Sequence, residues 1–168
     1  TTLFRSPELP IQLKVLECNN TLITSLPKLP SGLQKLYCLN NKFLKKIPEL
    51  PLNLTFINIS NTPIKQLPEL PDSIKYLWCN NTQLVELPML PKAIRSLKCN
   101  KTHIKVFPEL PLDIRCIHFS KSPIIYKWHL CLSHNGGEKD RAFVNYYNLL
   151  TAPLREPYES KQRVQKRS

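Results

Sequence analysis

Cysteine and histidine carry the most reactive side chains in this chain, and their spacing limits what they can do. The 168 residues hold six cysteines and four histidines. Cys116 and His118 stand two apart, the spacing that places both side chains on one face of a strand. A thiol beside an imidazole can become a nucleophile. That chemistry also wants a third group to orient the imidazole, and none is evident in the sequence. No CxxC pair or Cys/His cluster has the spacing of a zinc site, so no metal and no other cofactor is expected. With only Gly32, Gly136 and Gly137, a glycine-rich phosphate loop is excluded. No GxSxG, HExxH or kinase phrase occurs. The chain is read as non-enzymatic. The chemistry that remains is recognition. Tyr37, Phe56, Tyr76 and Trp78 are large aromatics, and Lys75, Arg95, Lys98, Arg115 and His118 are basic. Aromatic anchors beside Arg are the composition of binding hot spots. Those nine residues are spread over residues 37–118, so they form one surface only if the fold brings them together.

A repeat supplies that fold. Pro7, Pro27, Pro48, Pro68, Pro88 and Pro108 open six copies of a Pro-x-Leu-Pro phrase, at spacings of 20, 21, 20, 20 and 20. The shared frame is P-x-L-P-x-x-L-x-x-L-x-C-x-N-T-x-I-x-x-L. A period of this length means a solenoid, in which each copy lends core to the next. In Leu77-Trp78-Cys79 an apolar, a variable and an apolar residue alternate, which predicts a short strand. The Asn/Thr pair that follows turns the chain. Leu84 and Leu87 then point inward. Two prolines forbid a helix interior, so the return is expected to be extended, near polyproline II. Stacked copies form a parallel sheet with one strand per repeat. The one long copy has its extra residue after Cys38, within residues 39–43, where a loop tolerates it.

The same frame interprets the cysteines. Cys18, Cys38, Cys79 and Cys99 occupy one repeat position, and Ile59 and Phe119 occupy it in the other copies. Alternation with Ile and Phe marks reduced core thiols rather than a disulfide framework.

The pattern Leu-x-x-Leu-x-Cys-x-Asn-Thr-x-Ile-x-x-Leu-Pro-x-Leu-Pro resembles leucine-rich repeats. The twenty-residue form with LPELP looks most like bacterial type III secreted effectors of the YopM and IpaH kind. The Cys-Asn-Asn-Thr wording also resembles leucine-rich repeat proteins of giant DNA viruses of amoebae and of intracellular bacteria. The resemblance covers about residues 7–125. Two departures stand out. Thr21, Thr62, Thr82, Thr102 and Ser122 occupy a place where YopM-type repeats usually have Asn, and a hydroxyl donates only one hydrogen bond. No N-terminal helical cap precedes Leu13 and Leu16, so an exposed apolar edge is expected there. IpaH-type effectors add a ubiquitin-ligase domain with a catalytic Cys-x-Asp. Here the corresponding phrases are Cys116-Ile117-His118 and Cys131-Leu132-Ser133, and the remaining chain is too short for that domain.

The resemblance implies a curved sheet whose concave face carries the variable strand positions. The first column is Lys14, Gln34, Thr55, Lys75, Arg95 and Arg115. The second is Val15, Lys35, Phe56, Tyr76, Ser96 and Cys116. The third is Glu17, Tyr37, Asn58, Trp78, Lys98 and His118. The fourth is Asn19, Leu39, Ser60, Asn80, Asn100 and Ser120. Six Lys/Arg face the single acid Glu17 in these columns. A packed face would not carry them. Tyr37, Phe56, Lys75, Tyr76, Trp78, Arg95, Lys98, Arg115 and His118 are therefore the expected partner-binding residues. Cross-strand packing alone would also explain the aromatics. The residues between the paired prolines, Glu8, Lys28, Glu49, Glu69, Met89 and Glu109, read as a solvated rim.

Three segments follow: residues 1–125 as the solenoid, 126–154 as a C-terminal cap with one helix, and 155–168 as a basic flexible tail. Phe143, Tyr146, Tyr147 and Leu150 fall on one helical face, Asn135-Gly136-Gly137 turns before it, and Pro153 ends it. Residues 125–132 are apolar enough to cover the last repeat. The net charge is +12. Residues 1–125 carry sixteen Lys/Arg against eight Asp/Glu, and the rest carry eight against four, which favours acidic partners. The expected partner is a protein with an acidic surface. A nucleic acid, its bases stacked on the aromatics and its phosphates on the cations, is the less favoured alternative. A further alternative is the substrate-recognition part of a ubiquitin ligase. No apolar run approaches a membrane span. The start lacks Met and a signal peptide, as a processed chain or a piece of a longer one would. Reduced thiols favour a cytoplasm, and the effector resemblance implies that of a host cell.

Overall fold

A computed structural model of the chain describes residues 8–123, Val144 and residues 147–149. Six strands lie in it, one per repeat: β1 (Val15–Glu17), β2 (Lys35–Tyr37), β3 (Phe56–Asn58), β4 (Tyr76–Trp78), β5 (Ser96–Lys98) and β6 (Cys116–His118). They form one parallel sheet in chain order. The register is in phase throughout, with Leu36 opposite Ile57 and Leu77 opposite Leu97. Side chains alternate across the strand. The middle residue of β2 through β6 is therefore buried, as Leu36, Ile57, Leu77, Leu97 and Ile117. The flanking residues stay on the other face. Leu44, Ile64, Leu84 and Ile104 and, nearer the return, Ile47, Leu87 and Phe107 close the core from the far side. No helix occurs in residues 8–123, so the return of each repeat is extended.

Two turns per repeat make this closure possible. The second proline of each phrase opens the first turn. Its carbonyl accepts from the amide three residues on, as in Leu33 N to Pro30 O (3.0 Å), Ile74 N to Pro71 O (3.0 Å) and Ile94 N to Pro91 O (3.0 Å). The two residues between each proline and the next leucine make the turn, which brings that leucine, as at Leu33, into the core. The second turn follows the strand. Asn20, Asn40, Asn61, Asn81, Lys101 and Lys121 are left-handed, with φ from 53° to 60°. Asn adopts that region at little cost.

The residue after each left-handed position turns inward and satisfies the backbone. Thr62, Thr82 and Thr102 donate to the carbonyls of Ile59 (2.7 Å), Cys79 (2.9 Å) and Cys99 (3.0 Å). Ser122 donates to Cys99 O at 2.7 Å and accepts from Thr102 N at 3.0 Å. Hydroxyls thus fill the place of asparagine, as the sequence suggested. Asn41 shows what the amide adds. It donates to Cys18 O (2.8 Å) and Cys38 O (2.9 Å) and accepts from Thr21 N (2.9 Å), tying two repeats together. The extra residue of the long copy sits in the turn just after it. Lys42 and Phe43 are exposed there, and Leu44 N returns to Asn41 O at 3.3 Å.

The two ends differ. Among the described residues β1 has a neighbour on one side only, and Leu13, Leu16 and Cys18 are half-buried. Ile11 and Leu22 are 74% and 79% exposed, the apolar edge expected at that end. At the other end Val144, Tyr147, Asn148 and Leu149 are helical. The buried Tyr147 ring lies 6.0 Å from that of Phe107, and its hydroxyl accepts from Phe107 N at 2.8 Å. The Asn148 amide accepts from Leu110 N and donates to Leu110 O, both at 2.8 Å. Extended backbone at the last described repeat is thus satisfied by two side chains. Phe143, Tyr146 and Leu150, the 135–137 turn, Pro153, the apolar stretch 125–132, residues 1–7 and the basic tail lie outside the described residues.

Candidate functional site

The concave face is built by the strand residues that flank each buried middle position. The register sets Lys35, Phe56, Tyr76, Ser96 and Cys116 in one row and Tyr37, Asn58, Trp78, Lys98 and His118 in the next. Every one of the nine expected binding residues is half-buried or exposed. None has been drawn into the core.

Five of the nine are in mutual contact. Phe56 is the hub. Its ring centroid lies 4.7 Å from that of Tyr37, 6.1 Å from Tyr76 and 5.0 Å from Trp78, the last pair edge to face. Tilted and edge-on pairs at these separations are favourable beyond their buried area. Lys98 Nζ sits 4.1 Å from the centre of the Trp78 ring, a cation–π contact. The Trp78 Nε1 is buried and has no hydrogen-bond partner among the described residues. The indole is therefore held by neighbouring rings and an ammonium rather than by a polar anchor.

The other four flank this cluster. Lys75, Arg95 and Arg115 follow one another on the backbone ladder, with Arg95 N on Lys75 O and Arg115 N on Arg95 O, both at 2.9 Å or less. Adjacent rungs are ~4.8 Å apart, so the three form a cationic row beside the aromatics. Arg95 is braced by its own turn, donating from Nη1 to Lys92 O and Ile94 O at 3.1 Å. His118 is exposed on β6, in the row of Trp78 and Lys98. Cys116 and His118 lie on the same strand, on the concave side.

The alternation of the strands already indicated this face. The meeting of Tyr37, Phe56, Tyr76 and Trp78 around one ring depends on rotamers, which no spacing reveals. An asparagine ladder on the exposed turn edge was also missed. Asn40, Asn61 and Asn81 each donate to the preceding copy, at 2.8, 2.6 and 2.9 Å. Its only trace in the sequence is Asn recurring at the left-handed position. The rim reads as expected, with Glu8, Glu49, Glu69 and Glu109 all exposed. Among the described residues no group of three or more His, Cys, Asp or Glu side chains could hold a metal ion. No helix among them is long and apolar enough to cross a membrane.

Parallel one-strand repeats of this length, with Leu, Cys and Asn in fixed places, define a leucine-rich repeat solenoid, and the chain has that fold. Among solved structures it is similar to YopM from Yersinia enterocolitica, with 30% identity and a TM-score of 0.63 over 70% of this chain and 31% of that one. It is also similar to YopM of Yersinia pestis, described as a leucine-rich effector protein, with 34% identity and a TM-score of 0.59 over 61% of this chain and 30% of that one. A third likeness is to a Shigella effector leucine-rich repeat domain, with 25% identity and a TM-score of 0.63, covering 65% of this chain and 50% of the domain. The chain thus spans about a third of each YopM chain. No protein-family model matches it. No curated protein matches it.

Proposed function

We propose that the chain is a non-catalytic protein-interaction scaffold that holds a partner with an acidic surface along its concave face. The observation that carries this reading is the Phe56-centred aromatic cluster, capped by Lys98 over Trp78 and bordered by Lys75, Arg95 and Arg115. Buried aromatic area beside cations gives a partner both an apolar anchor and a charge match. A rigid parallel sheet holds these groups in place before binding, which limits the ordering cost. The likeness to leucine-rich effectors supports a scaffold role and, with it, a setting in a host-cell cytoplasm.

The test compares the wild type with a Tyr76→Ala/Trp78→Ala/Lys98→Ala variant in capture from cell lysate, with and without nuclease. The captured protein is then titrated at several salt concentrations. A defined protein that survives nuclease and is lost with the variant supports the proposal. Its affinity should fall only about tenfold between roughly 50 and 200 mM salt, because the aromatic part is not screened. Loss of signal on nuclease treatment, with a fall of about a thousandfold or more over that range, would instead identify nucleic acid as the ligand. Capture untouched by the variant sinks the concave-face reading.

A further inference from the structure

Two cysteine pairs occupy equivalent places in neighbouring repeats, and their surroundings differ. Glu17 pairs with Tyr37 and Trp78 with Lys98, so Cys18 stands opposite Cys38 and Cys79 opposite Cys99. Cys79 and Cys99 are fully buried in the middle of the stack. Burial pushes the Cys79 thiol up to about 12 and the Cys99 thiol well above its ordinary value. Neither offers a thiolate or a path for a reagent. The first pair sits in the first two described repeats, where β1 has no outer neighbour among the described residues. Cys38 is buried, but Cys18 is only half-buried. Their Sγ atoms are 3.0 Å apart. As a thiol, Cys18 donates to Tyr37 O at 3.4 Å. When it ionises, Cys38 supplies the stabilising hydrogen bond, which holds the Cys18 thiol below its ordinary value and pushes that of Cys38 up. One cysteine is thus partly exposed and the other is a buried thiol in contact with it.

We propose that Cys18 and Cys38 form an oxidative modification site, in which a hydroperoxide converts the pair to a reversible disulfide that staples the first two repeats. The Cys18 thiolate attacks the terminal oxygen of the peroxide. A sulfur–oxygen bond forms, the oxygen–oxygen bond breaks, and water or an alcohol leaves after protonation. Cys38 sulfur then attacks the Cys18 sulfenic acid. The sulfur–sulfur bond forms, the sulfur–oxygen bond breaks, and hydroxide leaves as water with the Cys38 proton. Two thiols lose two electrons and the peroxide gains them. Geometry permits the product. Adjacent parallel strands set the Cα atoms ~4.8 Å apart, inside the range a disulfide spans, and the sulfurs need close by only about 1 Å.

The experiment uses the whole reduced chain. It is exposed to hydrogen peroxide, quenched in acid, alkylated in denaturant and mapped by mass spectrometry. The expected product is an intramolecular Cys18–Cys38 linked peptide, lighter by two hydrogens than its free parts and reversed by dithiothreitol. Cys79 and Cys99 should remain alkylatable, reacting at least about tenfold more slowly. A Cys38→Ser variant, which keeps a hydrogen-bond donor beside Cys18 but cannot form the disulfide, should accumulate a Cys18 sulfenic acid that a 1,3-diketone probe traps. The wild-type map decides the matter even if that variant folds poorly. Cys18 and Cys38 both recovered as thiols while another cysteine is oxidised overturns the proposal. So does a bridge from Cys18 to any other cysteine or to a second chain.

Discussion

Asn41 and Thr62 fill the same repeat position with different chemistry. The threonine hydroxyl serves the carbonyl of its own turn, whereas the asparagine serves two carbonyls and accepts from Thr21 as well. A buried polar group that loses its partner costs more than the bond itself contributes. Thr62→Val should therefore lower stability by about 1–2 kcal/mol and Asn41→Ala by ~3 kcal/mol, read from urea midpoints. The buried thiols make a separate prediction. Cys79 titrates near 12 in the folded chain against an ordinary 9.0, and Cys99 is raised as well. Above pH 9 the unfolded chain releases these protons and the folded chain does not. Unfolding then releases protons, so the stability that is fully present below pH 9 is lost as the pH rises toward the folded values. Two such groups should cost about 3 kcal/mol between pH 8 and pH 10. A Cys79→Ala/Cys99→Ala variant, less stable at neutral pH because of its cavities, should lose most of that slope. Equal slopes in the two proteins would contradict the assignment.

Strands, turns and the terminal helix each play a separable part. The helix contributes through Tyr147 and Asn148, whose polar groups pair backbone of the last repeat. Tyr147→Phe keeps the ring but leaves the buried Phe107 amide without its acceptor. We expect a loss of about 1–2 kcal/mol and faster hydrogen exchange at Phe107, with the amides of β2 unchanged. The strands and the hydroxyl turns were legible in the sequence because period-two alternation and a fixed Leu, Cys and Thr frame translate directly into which side chain faces inward. Leu77 and Thr82 needed no structure to place. The turn at each second proline was less legible, since its hydrogen bond joins residues that the frame marks only as Pro and Leu. The site was half legible. Its columns follow from alternation, so Tyr76, Trp78 and Lys98 could be put on one face. Phe56 as hub and the buried indole nitrogen could not, because ring packing depends on χ angles and on volumes two strands away. The contrast between Cys18 and Cys79 was hidden too, for both hold the same frame position and differ only in distance from the first described repeat.

At the scale of the whole molecule, charge is distributed by surface. The concave columns are cationic around an aromatic centre, while the phrase edge carries Glu49, Glu69 and Asp72 beside Leu50 and Leu70. The sign of each surface restricts how a charged partner could lie. The in-phase register has a mechanical consequence. Each strand bonds only to the strands one repeat away, so within the sheet of the described residues a chain pulled from its ends shears no pairing longer than one repeat. It should open from an end, one rung at a time. Each rung of 20 residues would release ~65 Å of contour, the extended length less the spacing between rungs. In an optical trap the record should be a staircase of nearly equal steps, and the rung holding Lys42 and Phe43 should be longer than the rest by about one residue. The molecule would then behave as a ruler whose graduations were set by the prolines.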